Sequence, residues 1–144
     1  MTTLGAKTKI RAADVADDFD AILSVYAANR WSHARDPERL RIAVERADLA
    51  LVAVQDGEVV GFVRTMSDGA FAVYIADILV KPDFHRQGIG SKLLQAVLDH
   101  YPMKNFHHQV LIAERETDGF YRRMGLSAVS TFGLTAFIRT RDKR

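Results

Sequence analysis

Two glycines separated by one residue mark the stretch of this chain that is best suited to bind an anion. Gly88 and Gly90 lie in KPDFHRQGIGSKLL, residues 81–94, between an apolar run and a segment of helical periodicity. Backbone N–H groups at the start of a helix attract anions, and glycine lets a phosphate approach them closely. The pattern predicts a phosphate or pyrophosphate cradle; the alternative is a tight strand-to-helix turn without a ligand.

Two common nucleotide motifs do not fit this loop. A P-loop requires a glycine five residues before its second glycine, but that position is His85, and the order here is Gly90-Ser91-Lys92 instead of glycine followed by lysine. A dinucleotide-binding loop requires a third glycine where this chain has Leu93, within alternating strands and helices. Neither class of site is predicted.

Composition restricts the remaining chemistry. The chain carries 20 basic and 18 acidic side chains, and its net charge of +2 gives no support to nucleic acid as a partner. It has no cysteine, which excludes disulfides, thiolate metal sites and a cysteine acyl-enzyme. His107 and His108 would point to opposite faces of a strand and lack a third ligand, so we expect no metal.

Length and hydropathy indicate the number of domains and the expected localisation. A chain of 144 residues with 48% hydrophobic content is expected to form one domain, residues 1–144. The first residues lack the apolar core of a signal peptide, and no stretch is long enough for a membrane span. We therefore expect a cytoplasmic protein without a membrane partner.

Four helices are predicted from apolar periodicity and capping residues. One covers residues 14–28, and the pair Asp36-Pro37 begins a second. A third follows the glycine loop and ends near residue 100, and a short fourth ends at Gly125.

The strands follow from alternation and turn residues. Residues 7–12 are expected to form an edge strand, while LALVAV, EVVGFVRTM and AFAVYIADILV are separated by turns and predict an antiparallel meander. Two further strands are predicted, one in HQVLIA and a last one within LSAVSTFGLTAFI. The predicted fold class is α+β, with a mixed, mostly antiparallel central sheet flanked by helices.

Two stretches of the sequence resemble motifs of one protein family. ILVKPDFHRQGIGSKLL resembles the acetyl-coenzyme A motif of the GCN5-related N-acetyltransferases (GNAT), in which a strand ending in V-x-P precedes [QR]-x-x-G-x-[GA] at a helix start. DGFYRRMGL, residues 118–126, resembles the F-Y-x-x-x-G-[FL] segment of that family. His85 departs from the family's Gln or Arg. The resemblance implies the GNAT acyl-CoA N-acyltransferase fold, with acetyl-CoA as co-substrate and no metal.

The resemblance also assigns residues to the cofactor. Ile78, Leu79 and Val80 would present backbone groups to the pantetheine arm, and a backbone N–H of Leu79 or Val80 would stabilise the oxyanion. The loop and the first helical turn would hold the pyrophosphate through His85, Arg86, Gln87, Gly88, Ile89, Gly90 and Ser91.

Tyr121 is the candidate general acid. In the family the tyrosine of this segment protonates the leaving thiolate of coenzyme A, and a phenol can supply that proton at neutral pH. The alternative is a core aromatic residue paired with Phe120.

Asp77 is the candidate base, because an acceptor ammonium must lose a proton before it attacks the thioester. Strand alternation groups its side chain with apolar residues of the same strand, namely Val73, Ile75 and Leu79. The alternative is a paired structural carboxylate. Glu114 is the reserve base, or it caps the helix that follows.

Within the GNAT family, the sequence most resembles the branch that contains the arylalkylamine (serotonin-type) N-acetyltransferases. The residues that match the pattern of this branch are Arg64, Ser67, Asp68, Asp77, Leu79 and Val80. Arg64 alternatively pairs with Asp77 or Asp68. An aromatic acceptor wall is expected, and its candidates, which could also be ordinary packing residues, are Trp31, Tyr74 and Phe71, with Asn29 and His33 at the rim.

The expected function is direct transfer of the acetyl group of acetyl-CoA to a primary amine of a small molecule, for example an arylalkylamine. The alternatives are transfer to a protein or peptide amine, and a coenzyme A-binding sensor without turnover. A homodimer that uses an exposed edge strand is also compatible with this fold.

Overall fold

The computed structural model describes residues 7–141 and divides between Ile112 and Ala113 into two compact units. The N-terminal unit contains one five-stranded sheet in the order β1-β2-β3-β4-β5. Its strands are antiparallel except for β5, which is parallel to β4. The predicted fold class is therefore confirmed. The strands are β1 Thr8–Ala12, β2 Leu49–Gln55, β3 Glu58–Ser67, β4 Ala72–Val80 and β5 His108–Val110.

Three helices accompany this sheet, and two of them begin at the predicted caps. They are α1 Val15–Ala28, α2 Pro37–Glu45 and α3 Ile89–His100. The carboxylate of Asp14 accepts a hydrogen bond from the N–H of Asp17 at 3.2 Å, and the carboxylate of Asp36 caps α2 in the same way. None of the helices in the described part of the chain is long and apolar enough to span a bilayer.

The helices lie on both faces of the sheet. The ring of Phe62 on β3 packs against that of Tyr26 on α1 at 5.9 Å, within a core cluster that also includes residues of α2. The preceding residue, Gly61, faces α3, because a Cβ at Gly61 would lie 3.0 Å from Cδ1 of Leu93. Since successive strand residues point to opposite faces, α1 and α2 cover one face and α3 covers the other.

A β-bulge in β4 changes which face its side chains occupy. Arg64 is paired with Asp77 while the next residue, Thr65, is paired with Ile75, which leaves Ala76 without a partner in the register. Because Arg64 and Thr65 point to opposite faces, Asp77 and Ile75 do as well. The predicted grouping of Asp77 with Ile75 is therefore wrong, and the carboxylate lies on the α1 face.

The turn between β3 and β4 is built by two residues of the sequence pattern. Oδ1 of Asp68 accepts hydrogen bonds from the backbone N–H groups of Ala70, Phe71 and Ala72 at 2.9, 2.8 and 3.1 Å. The hydroxyl of Ser67 donates to the carbonyl of Ala72 at 2.8 Å. Ser67 and Asp68 thus have a structural role in the hairpin, and Arg64 is paired with Asp77.

Asp68→Asn should lower stability near neutral pH, and the deficit should shrink in acid. Backbone N–H donors lower the pKa of Asp68 in the folded protein. A lowered folded-state pKa stabilises the fold above the ordinary aspartate pKa of about 3.9, and that contribution disappears as the pH falls through the folded-state value. Urea unfolding midpoints between pH 3 and pH 7 test this, with Asp20→Asn on the exposed surface of α1 as control. A deficit that does not depend on pH would contradict it.

The C-terminal unit contains one short α-helix. A 3-10 helix, Arg115–Thr117, leads into α4, Asp118–Arg123. Gly125 has a φ of +93°, and the N–H of Leu126 donates to the carbonyl of Tyr121 at 3.1 Å, which closes the helix end. The predicted helix end at Gly125 is confirmed.

The last predicted strand is wrong. Val129–Phe132 form a 3-10 helix, and no strand follows within the described residues up to 141. Gly133, with a φ of +71°, ends this 3-10 helix and separates it from the apolar residues that follow. The strand predicted in HQVLIA is also shorter than expected, because only His108–Val110 pair with β4.

Candidate active site

The predicted phosphate loop connects β4 to α3 and ends in open backbone N–H groups. Gly88 occupies the N-cap position of α3 with a φ of +76°, and no side chain caps this helix. The first helical hydrogen bond joins the N–H of Lys92 to the carbonyl of Gly88 at 3.1 Å, so the N–H groups of Ile89, Gly90 and Ser91 precede the helical ladder. These groups fit an anion such as a pyrophosphate.

The rest of the loop is held in place by its own side chains. His85 lies over the end of β4, where its Nε2 donates to the carbonyl of Val80 at 2.8 Å. Oε1 of Gln87 accepts from Nε2 of Gln55 on β2 at 3.2 Å. Arg86 adopts a φ of +64°, which is costly for a residue with a Cβ. The imidazole of His85 is thus engaged with the protein and stabilises the loop.

The outer edge of β4 is open next to this loop. β5 pairs with β4 only from Ala72 to Tyr74, so the edge from Ile75 to Val80 has no strand partner among the described residues. The N–H of Lys81 donates to Val60 on β3. Because backbone groups alternate between the two edges of a strand, those of Leu79 also point to β3.

The predicted contact of Leu79 backbone groups with the pantetheine arm is therefore not supported, since those groups belong to the ladder with β3. In agreement, the carbonyl oxygen of Leu79 lies beside Gly61 of β3. Ile78 and Val80 present their backbone groups to the open edge, although the carbonyl of Val80 already accepts from His85 and from the amide of Asn29.

Gly88→Ala should weaken acetyl-CoA binding about tenfold or more, because alanine disfavours the φ of +76° with which Gly88 leaves the first N–H groups of α3 open to an anion. Gly69→Ala is the matched control, since Gly69 has a φ of +72°, no atom within 4 Å of a Cβ, and a place in the β3–β4 turn at the other end of β4. Both variants should lose similar stability, about 1–2 kcal/mol. Calorimetric titration with acetyl-CoA tests this; equal affinities in the two variants would contradict it.

Asp77 is a buried and paired carboxylate. Its exposed fraction is 7%, and its Oδ2 accepts from Nε of Arg64 and from the hydroxyl of Tyr26, both at 2.7 Å. Burial, followed by the charge of Asp77, raises the pKa of Tyr26, so this phenol remains protonated and donates. The geometry favours the paired structural carboxylate, which was the alternative to a free base at this position.

His33 and Trp31 complete the cluster on the α1 face. Nε2 of His33 lies 3.6 Å from Oδ2 of Asp77, and its ring lies 5.0 Å from that of Tyr26. Trp31 packs edge-on against Tyr26 at 5.9 Å. Asn29, predicted at the acceptor rim, ties α1 to β4, because its Nδ2 donates to the carbonyls of Val25 and Val80 at 2.9 and 3.0 Å.

An apolar row extends this face and contains Tyr74, which was predicted for the acceptor wall, together with two residues that were not predicted. Met66 on β3, Tyr74 on β4 and Val110 on β5 are paired across the three strands, and all three side chains are exposed. Met66 lies two residues beyond Arg64 on the same strand, so the apolar row adjoins the Arg64–Asp77 pair on the same face. Phe71 is exposed nearby and packs against His107.

Tyr121 and Glu114 belong to the C-terminal unit. Tyr121 lies on α4 with its ring 5.0 Å from that of Phe120, and burial raises the pKa of its phenol. Glu114 lies at the start of the 3-10 helix, where its carbonyl oxygen accepts from the N–H and the hydroxyl of Thr117. Residues 7–141 contain no group of three or more His, Asp or Glu side chains that could hold a metal ion.

Two curated relatives are similar to most of this chain. The chloroplastic GCN5-related N-acetyltransferase 1 of Arabidopsis thaliana is 30% identical over 111 residues, which are 75% of this chain and 55% of that protein. The chloroplastic serotonin N-acetyltransferase 2 of Oryza sativa subsp. japonica is 27% identical over 122 residues, 82% of this chain and 60% of that protein. The chain thus spans little more than half the length of these relatives.

A family model and a solved structure agree with these relatives. A GNAT-family acetyltransferase from Streptococcus pneumoniae superposes with a TM-score of 0.78 at 28% identity, and the match covers 96% of this chain and 99% of that one. The model of the acetyltransferase (GNAT) family matches residues 16–126, a range that includes both the phosphate loop and the segment around Tyr121. This chain therefore belongs to the GNAT acetyltransferase family.

Proposed function

We propose that this chain is an acetyl-CoA-dependent N-acetyltransferase that acts on the primary amine of a small molecule with an apolar or aromatic body. Its GNAT family membership supports the reaction class. The observation that carries the cofactor assignment is the uncapped start of α3, where Gly88 and the N–H groups of the first turn form an anion site beside the open edge of β4.

The proposed reaction is direct attack of a neutral amine on the thioester carbonyl. A C–N bond forms and the C–S bond breaks, and Tyr121 protonates the leaving thiolate. The N–H of Val80 points to the open edge of β4 and is the proposed donor to the oxyanion. Because the chain has no cysteine, no acyl-cysteine intermediate can form.

The apolar row supports an acceptor with an apolar body. Met66, Tyr74 and Val110 form a continuous exposed strip next to a buried charged pair, so an amine whose body lies on this strip would have its polar end directed at that pair. Trp31 lies on the same side of the sheet through its contact with Tyr26. A polyamine would leave the strip uncovered.

Acetyl-CoA turnover with a panel of arylalkylamines, polyamines, amino acids and short peptides tests the proposal. Thiol release can be followed with a thiol-reactive dye, and the absence of cysteine removes the protein's own background. We expect the highest kcat/KM with arylalkylamines. Release with peptides alone would favour a protein acceptor, and acetyl-CoA binding without release would favour a sensor.

Met66→Ser tests the apolar row directly. Loss of buried apolar contact should lower kcat/KM for arylalkylamines about tenfold and leave that for polyamines unchanged. Ile42→Ser is the matched control, because Ile42 is an exposed apolar residue on α2. An equal loss for both classes of amine would argue against an apolar acceptor strip.

A further inference from the structure

The carbonyl of Val80 has both of its acceptor positions filled by side chains of the protein. It accepts from Nε2 of His85 at 2.8 Å and from Nδ2 of Asn29 at 3.0 Å. A carbonyl oxygen has two lone pairs, so a further donor can bind only if one of these side chains leaves. Because this oxygen points to the open edge of β4, the two side chains fill the position at which a ligand would pair with the end of the strand.

The two donors differ in how firmly they are held. Asn29 is half-buried, and its Nδ2 also donates to the carbonyl of Val25 in the last turn of α1 at 2.9 Å. His85 is exposed, and within residues 7–141 its ring makes this hydrogen bond and no ion pair. The imidazole can therefore leave with the loss of a single side-chain hydrogen bond, whereas the amide of Asn29 would lose two.

An amide N–H is the group that can replace the imidazole on this oxygen. In acetyl-CoA, the amide nearest the thioester is separated from it by the sulfur and two methylene groups. The N–H and the carbonyl of one strand residue point to the same edge. An arm whose thioester oxygen meets the N–H of Val80, as proposed above, therefore has an amide N–H within reach of the carbonyl of the same residue.

We propose that His85 fills, in the free protein, the position of an amide N–H of the pantetheine arm, and that acetyl-CoA replaces it. This rests on the proposed use of acetyl-CoA. The imidazole turns outward to water and the arm donates to Val80 in its place, so one N–H···O hydrogen bond breaks and one forms, while that of Asn29 stays. A ligand without such an N–H leaves His85 in place or leaves the carbonyl with one donor fewer, and His85 thus favours ligands that carry an amide here.

His85→Ala should tighten acetyl-CoA binding about threefold to tenfold, because the arm no longer displaces a hydrogen bond of the usual net strength. A side chain that held the pyrophosphate, as the family resemblance implies, would give the opposite sign, and calorimetric titration distinguishes the two. ADP has the pyrophosphate and lacks the arm, so it should compete equally well for the variant and the wild type. His100→Ala, at the exposed end of α3, is the matched control and should change neither affinity.

Asn29 allows a test of the cause. Without its amide one lone pair of the Val80 carbonyl is free, so the arm can pair without displacing His85. Adding His85→Ala to Asn29→Ala should therefore change the affinity for acetyl-CoA less than about twofold, although the same substitution tightens binding in the wild-type background. The proposal is overturned by a gain that persists in Asn29→Ala, by a gain of equal size for ADP, or by unchanged or weaker binding of acetyl-CoA in His85→Ala.

His85→Gln separates the hydrogen bond from a general loosening of the loop. Glutamine keeps an N–H donor for the carbonyl of Val80, so its affinity for acetyl-CoA should stay within about twofold of wild type. A glutamine variant that binds as tightly as the alanine variant would also overturn the proposal. The expected pattern of affinities in a protein that acetylates no amine would refute the transferase and leave the role of His85 intact, whereas a wild-type protein that does not bind acetyl-CoA would refute both.

Discussion

Tyr121→Phe is expected to lower kcat about 100-fold or more, with little change in the affinity for acetyl-CoA. General acid catalysis typically contributes about 10²–10⁴-fold, and phenylalanine keeps the ring that packs against Phe120 while it removes the hydroxyl that would protonate the thiolate. The loss should therefore appear in kcat rather than in the binding of the cofactor, which steady-state kinetics with the best amine of the panel and calorimetric titration can separate.

The pH dependence sharpens this prediction. Burial raises the pKa of Tyr121, so the phenol remains protonated throughout the neutral range and wild-type activity should not decline through its ionisation below about pH 10. Tyr101→Phe is the matched control, since it removes another phenol, which is hydrogen-bonded to Asp48 and Thr65 at the end of α3. It should reduce stability and leave kcat unchanged. Normal turnover in Tyr121→Phe would refute the general-acid assignment.

Asp77→Asn is expected to lower the free energy of unfolding by about 3–5 kcal/mol. The substitution leaves the guanidinium of Arg64, whose side chain is only 14% exposed, without its counter-charge in a buried place. Domains of this size are stable by about 5–15 kcal/mol, so the variant should unfold at a clearly lower denaturant concentration. Denaturant unfolding followed by circular dichroism measures the loss.

A double substitution tests whether the unpaired charge of Arg64 causes the loss of stability. If the cost in Asp77→Asn is the uncompensated charge, then adding Arg64→Met to Asp77→Asn should recover most of the lost stability, because no charge then remains and the amide oxygen can still accept from the hydroxyl of Tyr26. A loss below about 1 kcal/mol in Asp77→Asn, together with abolished activity and a shifted pH profile, would instead support the free-base alternative.

Local features of the fold were predictable because their causes lie within a few residues of each other. Asp14 and Asp36 cap helices through the N–H groups three residues later, and Gly125 ends α4 through bonds to the preceding turn. The phosphate loop belongs to the same class, since the left-handed φ of Gly88 and the open N–H groups after it follow from glycine spacing at a helix start.

Features that depend on distant residues were predicted poorly. The alternation of β4 placed Asp77 with Ile75, and the bulge at Ala76, which depends on pairing with β3, reversed this assignment. A strand was expected after Gly125, but a strand needs a partner and the apolar residues there do not specify one. The bond of Asn29 to Val80, 51 residues away, has no local signal either.

The sequence by itself indicated the family and the fold class, through two motifs and the order of its helix and strand patterns. It also indicated the starts of α1 and α2 and the glycine loop, since hydrogen bonds and backbone angles within a few residues encode these local features. Only the tertiary structure decided that Asp77 is engaged by Arg64 and Tyr26, that His33 stands beside them with an unpaired nitrogen, and that three strands align an apolar row on this face. These arrangements depend on strand register and helix packing, which bring residues far apart in the chain into contact. Such contacts are not specified by the neighbouring residues in the sequence.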